Sequence, residues 1–229
     1  MEQTTASAAA LLEPLRLITH DCVRIESKTG TVVYIDPYET DGASREADVI
    51  LITHDHFDHF SPDDIRSVAR PDAVVIVPAS LAGQAAALGL GRVITMRSGD
   101  AVQPADGIDV MAVPAYNIAK DFHPARNGWL GYVVSVDGIR YFHMGDTDRT
   151  PDNDSVACDV LLIPVGGTYT MDAEEAARCA LCINPRIAVP MHYGSVAGEK
   201  ADGERFAQRL AALQNGRPAP IPSAVIMER

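Results

Sequence analysis

"ADVILITHDHFDHFSPDD", residues 47–64, decides how this chain is read. Asp48 to Thr53 is a short apolar run with the length and composition of a buried strand. A cluster of three histidines and two aspartates follows at once, in "LITHDHFDHF", residues 51–60. Ser61 can then cap a helix, Pro62 suits its first position, and Asp63 and Asp64 favour its positive end. A strand that passes through a polar loop into a helix is the unit of α/β proteins, which place their sites beyond the carboxyl ends of strands.

His54 and His56 are two apart, so in an extended segment their imidazoles point to one side. Asp58 and His59 follow where the chain must turn before its helix. Four potential ligands therefore converge within six residues. Imidazole and carboxylate suit Zn²⁺, and the lack of a cysteine in the cluster argues against a structural zinc knuckle. The plain alternative is a solvated polar turn, but a turn does not require three histidines.

Working outward, "LRLITHDCVRIES" and "TVVYIDPY" flank Lys28-Thr29-Gly30, which reads as a hairpin turn. After the cluster, strand "AVVIVP", helix "SLAGQAAALGL" and strand "RVITM" continue the alternation. The second half repeats the plan. It runs from strand "IDVMAVPA" through a hairpin about Asp137-Gly138 to the buried strand "CDVLLIPVGG" and helix "MDAEEAARCALCI". Strand "RIAVPMHYG", the amphipathic helix "DGERFAQRLAALQ" and a last strand "SAVIMER" complete it. "ADVILITHD" and "CDVLLIPVG" share one pattern, so the chain looks like two related halves. Two mixed sheets packed face to face with helices outside, a four-layer αββα sandwich, would bury such strands on both sides. No Pro/Gly/Ser tract divides the halves, so residues 14–229 are expected to form one domain and residues 1–13 to be disordered.

Composition narrows the partners. With 19 basic against 31 acidic residues, a formal charge of −12 argues against a broad nucleic-acid or anionic-membrane surface and favours a small-molecule substrate, with room left for a local basic patch. Residues 1–13 lack the basic start and apolar stretch of a secretory signal, and no run approaches the roughly 20 apolar residues of a membrane span. A cytoplasmic protein with reduced thiols is expected, and a homo-oligomer is left open. Cys179 and Cys182 form a C-x-x-C inside an alanine-rich helix, where they read as buried small residues rather than a redox pair.

The residues "THDHFDH" match the H-x-H-x-D-H motif of the metallo-β-lactamase fold superfamily. "IDP" at 35–37, "HMGDTD" at 143–148 and "PMHYG" at 190–194 match it in order. "DPY", "PAYN" and "GGTYTMD" resemble in particular the Zn-dependent hydrolases of the L-ascorbate-6-phosphate lactonase type. The resemblance implies two divalent metal ions, Zn²⁺ first, with Mn²⁺ or Fe²⁺ as alternatives. It implies that His54 and His56 hold one ion and Asp58 and His59 the other, that Asp146 bridges, and that His192 completes the second site. The superfamily usually supplies a further histidine from a loop between the halves. Here "PAYN" offers Asn117 at that position and His123 stands six residues later, and the sequence leaves both open.

Around these ligands, Asp36 is a candidate to orient a ligand histidine through its ring N–H. His20, at a strand break, reads as a supporting or pocket-lining histidine. His143 lies three residues before Asp146, which on a strand puts the two on opposite faces, so it is assigned to substrate or packing. Asp58 or Asp146 could accept a water proton, while His192 or Tyr193 could stabilise developing charge. Tyr193, His143 and Asn117 are the candidate substrate contacts, and His123, Lys120 and Arg126 could meet an anion. The expected reaction is hydrolysis of a small ester, lactone or phosphorylated metabolite. The alternatives are a phosphodiesterase or nuclease, which needs a basic face, and a non-hydrolytic metal-binding protein. Di-iron flavoproteins of this fold replace the second histidine by glutamate, and His56 stands against that here.

Overall fold

Continuous apolar runs and alternating ones sort into two kinds of strand pairing, and both occur in each of two sheets. The computed structural model describes residues 7–41, 44–216 and 222–228. Its first half contains helix α1 (Ala8–Leu12) and strands β1 (Leu15–Thr19), β2 (Cys22–Glu26), β3 (Val32–Ile35) and β4 (Ala47–Leu51). Helix α2 (Pro62–Val68), β5 (Ala69–Pro78), α3 (Ala82–Ala86) and β6 (Arg92–Met96) follow. The six strands form one sheet in chain order, antiparallel from β1 to β3 and parallel from β3 to β6.

The second half supplies β7 (Ala101–Ala105), β8 (Ile108–Pro114), β9 (Leu130–Val136), β10 (Ile139–His143), α4 (Pro151–Asp154) and β11 (Val160–Pro164). Helix α5 (Ala173–Ile183), β12 (Ile187–Met191), α6 (Asp202–Gln214) and β13 (Ser223–Ala224) complete it. Its seven strands run in order from β13 back to β7, parallel from β10 to β13 and antiparallel from β7 to β10. From β2 to β6 and from β9 to β13 the pairing senses follow the same succession: one antiparallel pair, then three parallel.

Strand periodicity divides the buried side chains into layers. Val49 and Leu51 of β4 face Leu162, Val189 and Tyr132 across the space between the sheets. Ile50 and Ile52 point the other way, onto Ile65 and Val68 of α2 and Leu81. In the second sheet Leu161 and Ile163 pack outward on Ala176 and Ala180 of α5 and Phe206 and Leu210 of α6. Each such Leu or Ile stabilises by roughly 1.5–3 kcal/mol when fully buried. The architecture is the expected αββα sandwich.

Several local expectations change. Residues 8–12, expected to be disordered, form α1, capped by Ser7 and anchored by the buried Leu11; residues 1–6 lie outside the described residues. "LRLITHDCVRIES" is two strands, not one, because the chain reverses at His20-Asp21 between β1 and β2. β7 carried no signal, since Pro104 interrupts it; it is tolerated because β7 is an edge strand. Ser61 stands at the start of α2 but caps no backbone N–H, because its hydroxyl donates to Asp64 Oδ2 at 2.6 Å instead. Cys179 is buried, but Cys182 is exposed, three residues on.

The two sheets are tied at the rim of the histidine cluster. Tyr132 Oη, fully buried on β9, donates to Ile52 O at 2.8 Å, and Leu130 N donates to Thr53 O at 3.1 Å. Replacing Tyr132 by Phe leaves that carbonyl without its cross-sheet partner. It is expected to cost about 1–2 kcal/mol of stability, read as a lower midpoint in urea unfolding at unchanged slope.

Candidate metal centre

Six loops bring the polar residues to one edge of the sandwich, most of them just beyond the carboxyl ends of parallel strands. Asp36 follows β3, His54 to His59 follow β4, Asp146 follows β10 and His192 follows β12. His20 and Asp21 form the turn between β1 and β2, and His123 lies between β8 and β9. His20, Asp36 and His192 adopt positive φ values of 43°, 48° and 57°. Such a backbone costs non-glycine residues of order 1–3 kcal/mol and persists where the surroundings over-determine it. The three lie in one buried cluster.

Hydrogen bonds fix the rings. Thr53 Oγ1 donates to Asp36 Oδ2 at 2.6 Å, so its oxygen is left to accept from His54 Nδ1 at 2.9 Å. His59 Nδ1 meets Asp36 Oδ2 at 2.8 Å, His123 Nδ1 meets Asn117 Oδ1 at 3.0 Å, and His20 Nδ1 pairs with Ser195 Oγ at 3.1 Å. Four histidines thus spend Nδ1 on a supporting group and turn Nε2 inward, the arrangement metal-ligating imidazoles require. His56 and His192 are the exceptions: the Nδ1 of His56 stands 3.0 Å from His54 Nε2, and the Nδ1 of His192 is buried without a partner.

The inward atoms fall into two groups, each able to hold one ion: His54, His56, His123 and Asp146, and His20, Asp58, His59 and His192. Asp146 also groups with Asp21, His59 and His192. Its Oδ2 lies 3.0 Å from both His123 Nε2 and His192 Nε2, and its Oδ1 lies 3.5 Å from His59 Nε2. Asp146 therefore stands between the groups.

Protein alone does not satisfy this cluster. His20 Nε2, both Asp21 oxygens, His59 Nε2, His123 Nε2, Asp146 Oδ1 and His192 Nδ1 are buried without a hydrogen-bond partner, seven of the nine such side-chain atoms among the described residues. Each unmet buried group costs about 1–3 kcal/mol. Divalent cations held by nitrogen and carboxylate donors would remove most of that cost, and the donor set fits Zn²⁺. The electrostatics agree. Burial drives His54 well below the ordinary histidine pKa. Burial opposes a proton on His59 too, but Asp146 and Asp36 outweigh it and raise the group to about 10. Burial raises Asp21 to about 6. Burial would also raise Asp146, but His192 and His59 hold it well below the carboxylate range.

Of the sequence candidates, His54, His56, Asp58, His59, His123, Asp146 and His192 come together. Three others do not face the site's interior. His143 is buried and committed at both nitrogens, Nε2 donating to Asp21 O at 2.9 Å and Nδ1 accepting from Gly145 N at 3.2 Å, so it is no substrate contact. Asn117 is likewise no substrate contact. Its Oδ1 accepts from the backbone and ring of His123, and its Nδ2 donates to Asp148 Oδ1 and Tyr169 O. Tyr193, next to the inward-turned His192, points outward into the α5–α6 layer, with its ring against Gly203. Lys120 pairs with Asp148 at 2.7 Å, and Arg126 is exposed.

His20 changes role: its buried Nε2 lies 3.2 Å from Asp58 Oδ2, in position to ligate rather than support. Sequence reasoning missed Asp21, Thr53 and Trp129, whose ring lies 5.0 Å from those of His54 and His56 and 5.5 Å from that of His123. Only Asp21 left a trace, as a second polar residue beside His20 inside an apolar run.

Known proteins resemble this chain in sequence and fold. A model described as the β-lactamase superfamily domain matches residues 14–192. A UPF0173 protein of Pyrococcus abyssi is 36% identical over 188 residues, 80% of this chain and 85% of the relative. A UPF0173 metal-dependent hydrolase of Thermococcus onnurineus is 31% identical over 186 residues, 76% of this chain and 82% of the relative. Among solved structures, a metallo hydrolase of Ignicoccus hospitalis superposes with a TM-score of 0.75 at 24% identity, covering 93% of this chain and 94% of that one. The chain belongs to the UPF0173 family of metal-dependent hydrolases, within the β-lactamase superfamily.

Proposed function

We propose that this protein is a dinuclear, zinc-dependent hydrolase of the cytoplasm that acts on a small ester, lactone or phosphorylated metabolite. The observation that carries the reading is the pair of ligand groups, eight side chains in all, that meet at Asp146, with the buried Nε2 atoms of His20, His59 and His123 left without a hydrogen-bond partner. Zn²⁺, or Mn²⁺ or Fe²⁺ in its place, would supply Lewis acidity and a water acidic enough to ionise near neutral pH. Asp58, beside His20, and Asp146, between the groups, would be the carboxylates that orient a water and accept its proton. Asp36 and Asn117 keep the rings of His59 and His123 in register. All four cysteines are free thiols, and no helix among the described residues is long and apolar enough to cross a membrane; both accord with this assignment.

Alanine at Asp58 or His59 is expected to lower hydrolysis of any accepted substrate by at least about a hundredfold while the far-UV circular dichroism stays unchanged. Screening phosphodiesters, lactones and thioesters with zinc and with manganese finds the substrate class, and full activity in either variant removes the mechanism.

Metal uptake must also expel protons. In the ion-free protein His59 is protonated at neutral pH, because its raised value of about 10 lies above the solution pH. The ligand atom has to be neutral, so a bound ion displaces that proton. Zinc affinity should therefore tighten by about tenfold per pH unit for each proton released between pH 6 and 8. Calorimetry in buffers of different ionisation enthalpy counts the protons; a count of zero contradicts the assignment of His59.

A further inference from the structure

The exposed apolar residues are not scattered. Seven large apolar side chains are exposed among the described residues, and five of them stand on the segments that carry or hold the residues of the metal centre: Phe57, Ile118, Phe122, Tyr169 and Val196. Phe57 separates His56 from Asp58 and is 66% exposed. Phe122 precedes His123, and Ile118 follows Asn117, which holds that histidine. Tyr169 accepts from Asn117 through its carbonyl, and Val196 follows Ser195, which pairs with His20. The aromatic rings form two edge-on pairs, Tyr38 with Phe57 at 6.0 Å and Phe122 with Tyr169 at 4.8 Å, one from each half of the chain. Concentrated exposed apolar surface marks a contact site, whereas isolated residues do not.

Charge around the rim separates the substrate classes left open above. Asp55 and Asp121, interleaved with Phe57 and Phe122, are both exposed. Lys120, the nearest cation in the sequence, is paired with Asp148. Asp55 and Asp121 would oppose an anionic tail beside Phe57 and Phe122, while an uncharged apolar tail would cover rings that otherwise face water.

We propose that the rim is an apolar subsite, and that the substrate is an ester or lactone carrying an uncharged aliphatic or aromatic group beside the bond that is cut. The choice of ester or lactone rests on the hydrolase reading; the apolar subsite itself does not. Hydroxamates bind divalent metal without being turned over, so they probe the rim separately from the reaction. Calorimetry on the zinc-loaded protein is expected to show hexanohydroxamate binding at least tenfold more tightly than acetohydroxamate. Phe57→Ala and Phe122→Ala should each reduce that preference at least threefold. Met111→Ala, which removes an exposed apolar residue of β8 away from the rim, should leave it unchanged. Equal affinities, a preference that survives both phenylalanine substitutions, or no binding of hexanohydroxamate overturns the proposal. Turnover of p-nitrophenyl acetate and hexanoate separates the two readings. A binding preference without hydrolysis keeps the rim and removes the hydrolase, and hydrolysis with no chain-length dependence in binding or rate does the reverse.

Discussion

The constraint on which the structure depends is that a cluster of imidazoles and carboxylates is buried where the protein cannot satisfy it. An apolar sandwich resists such groups, because each unpaired polar atom loses its water without recovering a partner. The chain answers in two ways. It ties one ring nitrogen each of His54, His123, His59 and His20 to a hydroxyl, amide or carboxylate, through Thr53, Asn117, Asp36 and Ser195. It then leaves the inner atoms facing one another, an arrangement that is costly in the bare protein and favourable around cations. Strained backbone at His20, Asp36 and His192 belongs to the same account, since those conformations persist only if something at the centre compensates for them.

Topology supplies the convergence. Parallel strands end at the same edge of a sheet, so loops after β3 and β4 in one sheet and after β10 and β12 in the other emerge together once the sheets pack face to face. Each half delivers an incomplete set. The first brings His20, His54, His56, Asp58 and His59, and the second brings His123, Asp146 and His192. Tyr132 and Leu130 fasten the seam at Ile52 and Thr53, directly before the first ligand, so packing of the sheets and geometry of the centre are coupled over two residues.

The parts legible in the sequence were those encoded locally. Strand and helix periods gave the αββα layers, because burial on one or two faces repeats every two or 3.6 residues. The cluster at 54–59 could be read for the same reason, its ligands being close in the chain. What stayed hidden depends on which way a ring turns. Tyr193 and His192 are neighbours, yet one points into the helix layer and the other into the centre. Asn117 and His123 could not be separated until the loop's own hydrogen bonds showed the amide holding the imidazole. His20 read as support because a lone histidine at a strand break carries no sign of what lies 3.2 Å from it, the carboxylate of Asp58, 38 residues away in the chain.

The two ligand groups are not equivalent. In the group of His20, Asp58, His59 and His192 every side chain is buried, whereas in the group of His54, His56, His123 and Asp146 only His56 is partly exposed. Solvent therefore reaches the centre over His56, beside Phe57 and near Trp129, which screens the rings of His54 and His123. An ion in the buried group would be shielded and hard to exchange, suited to holding loops of both halves together. An ion in the other group would sit under the mouth, where a substrate arrives. The motif would then serve both groups: Asp58 and His59 belong to the fully buried one, and His54 and His56 to the one nearest solvent.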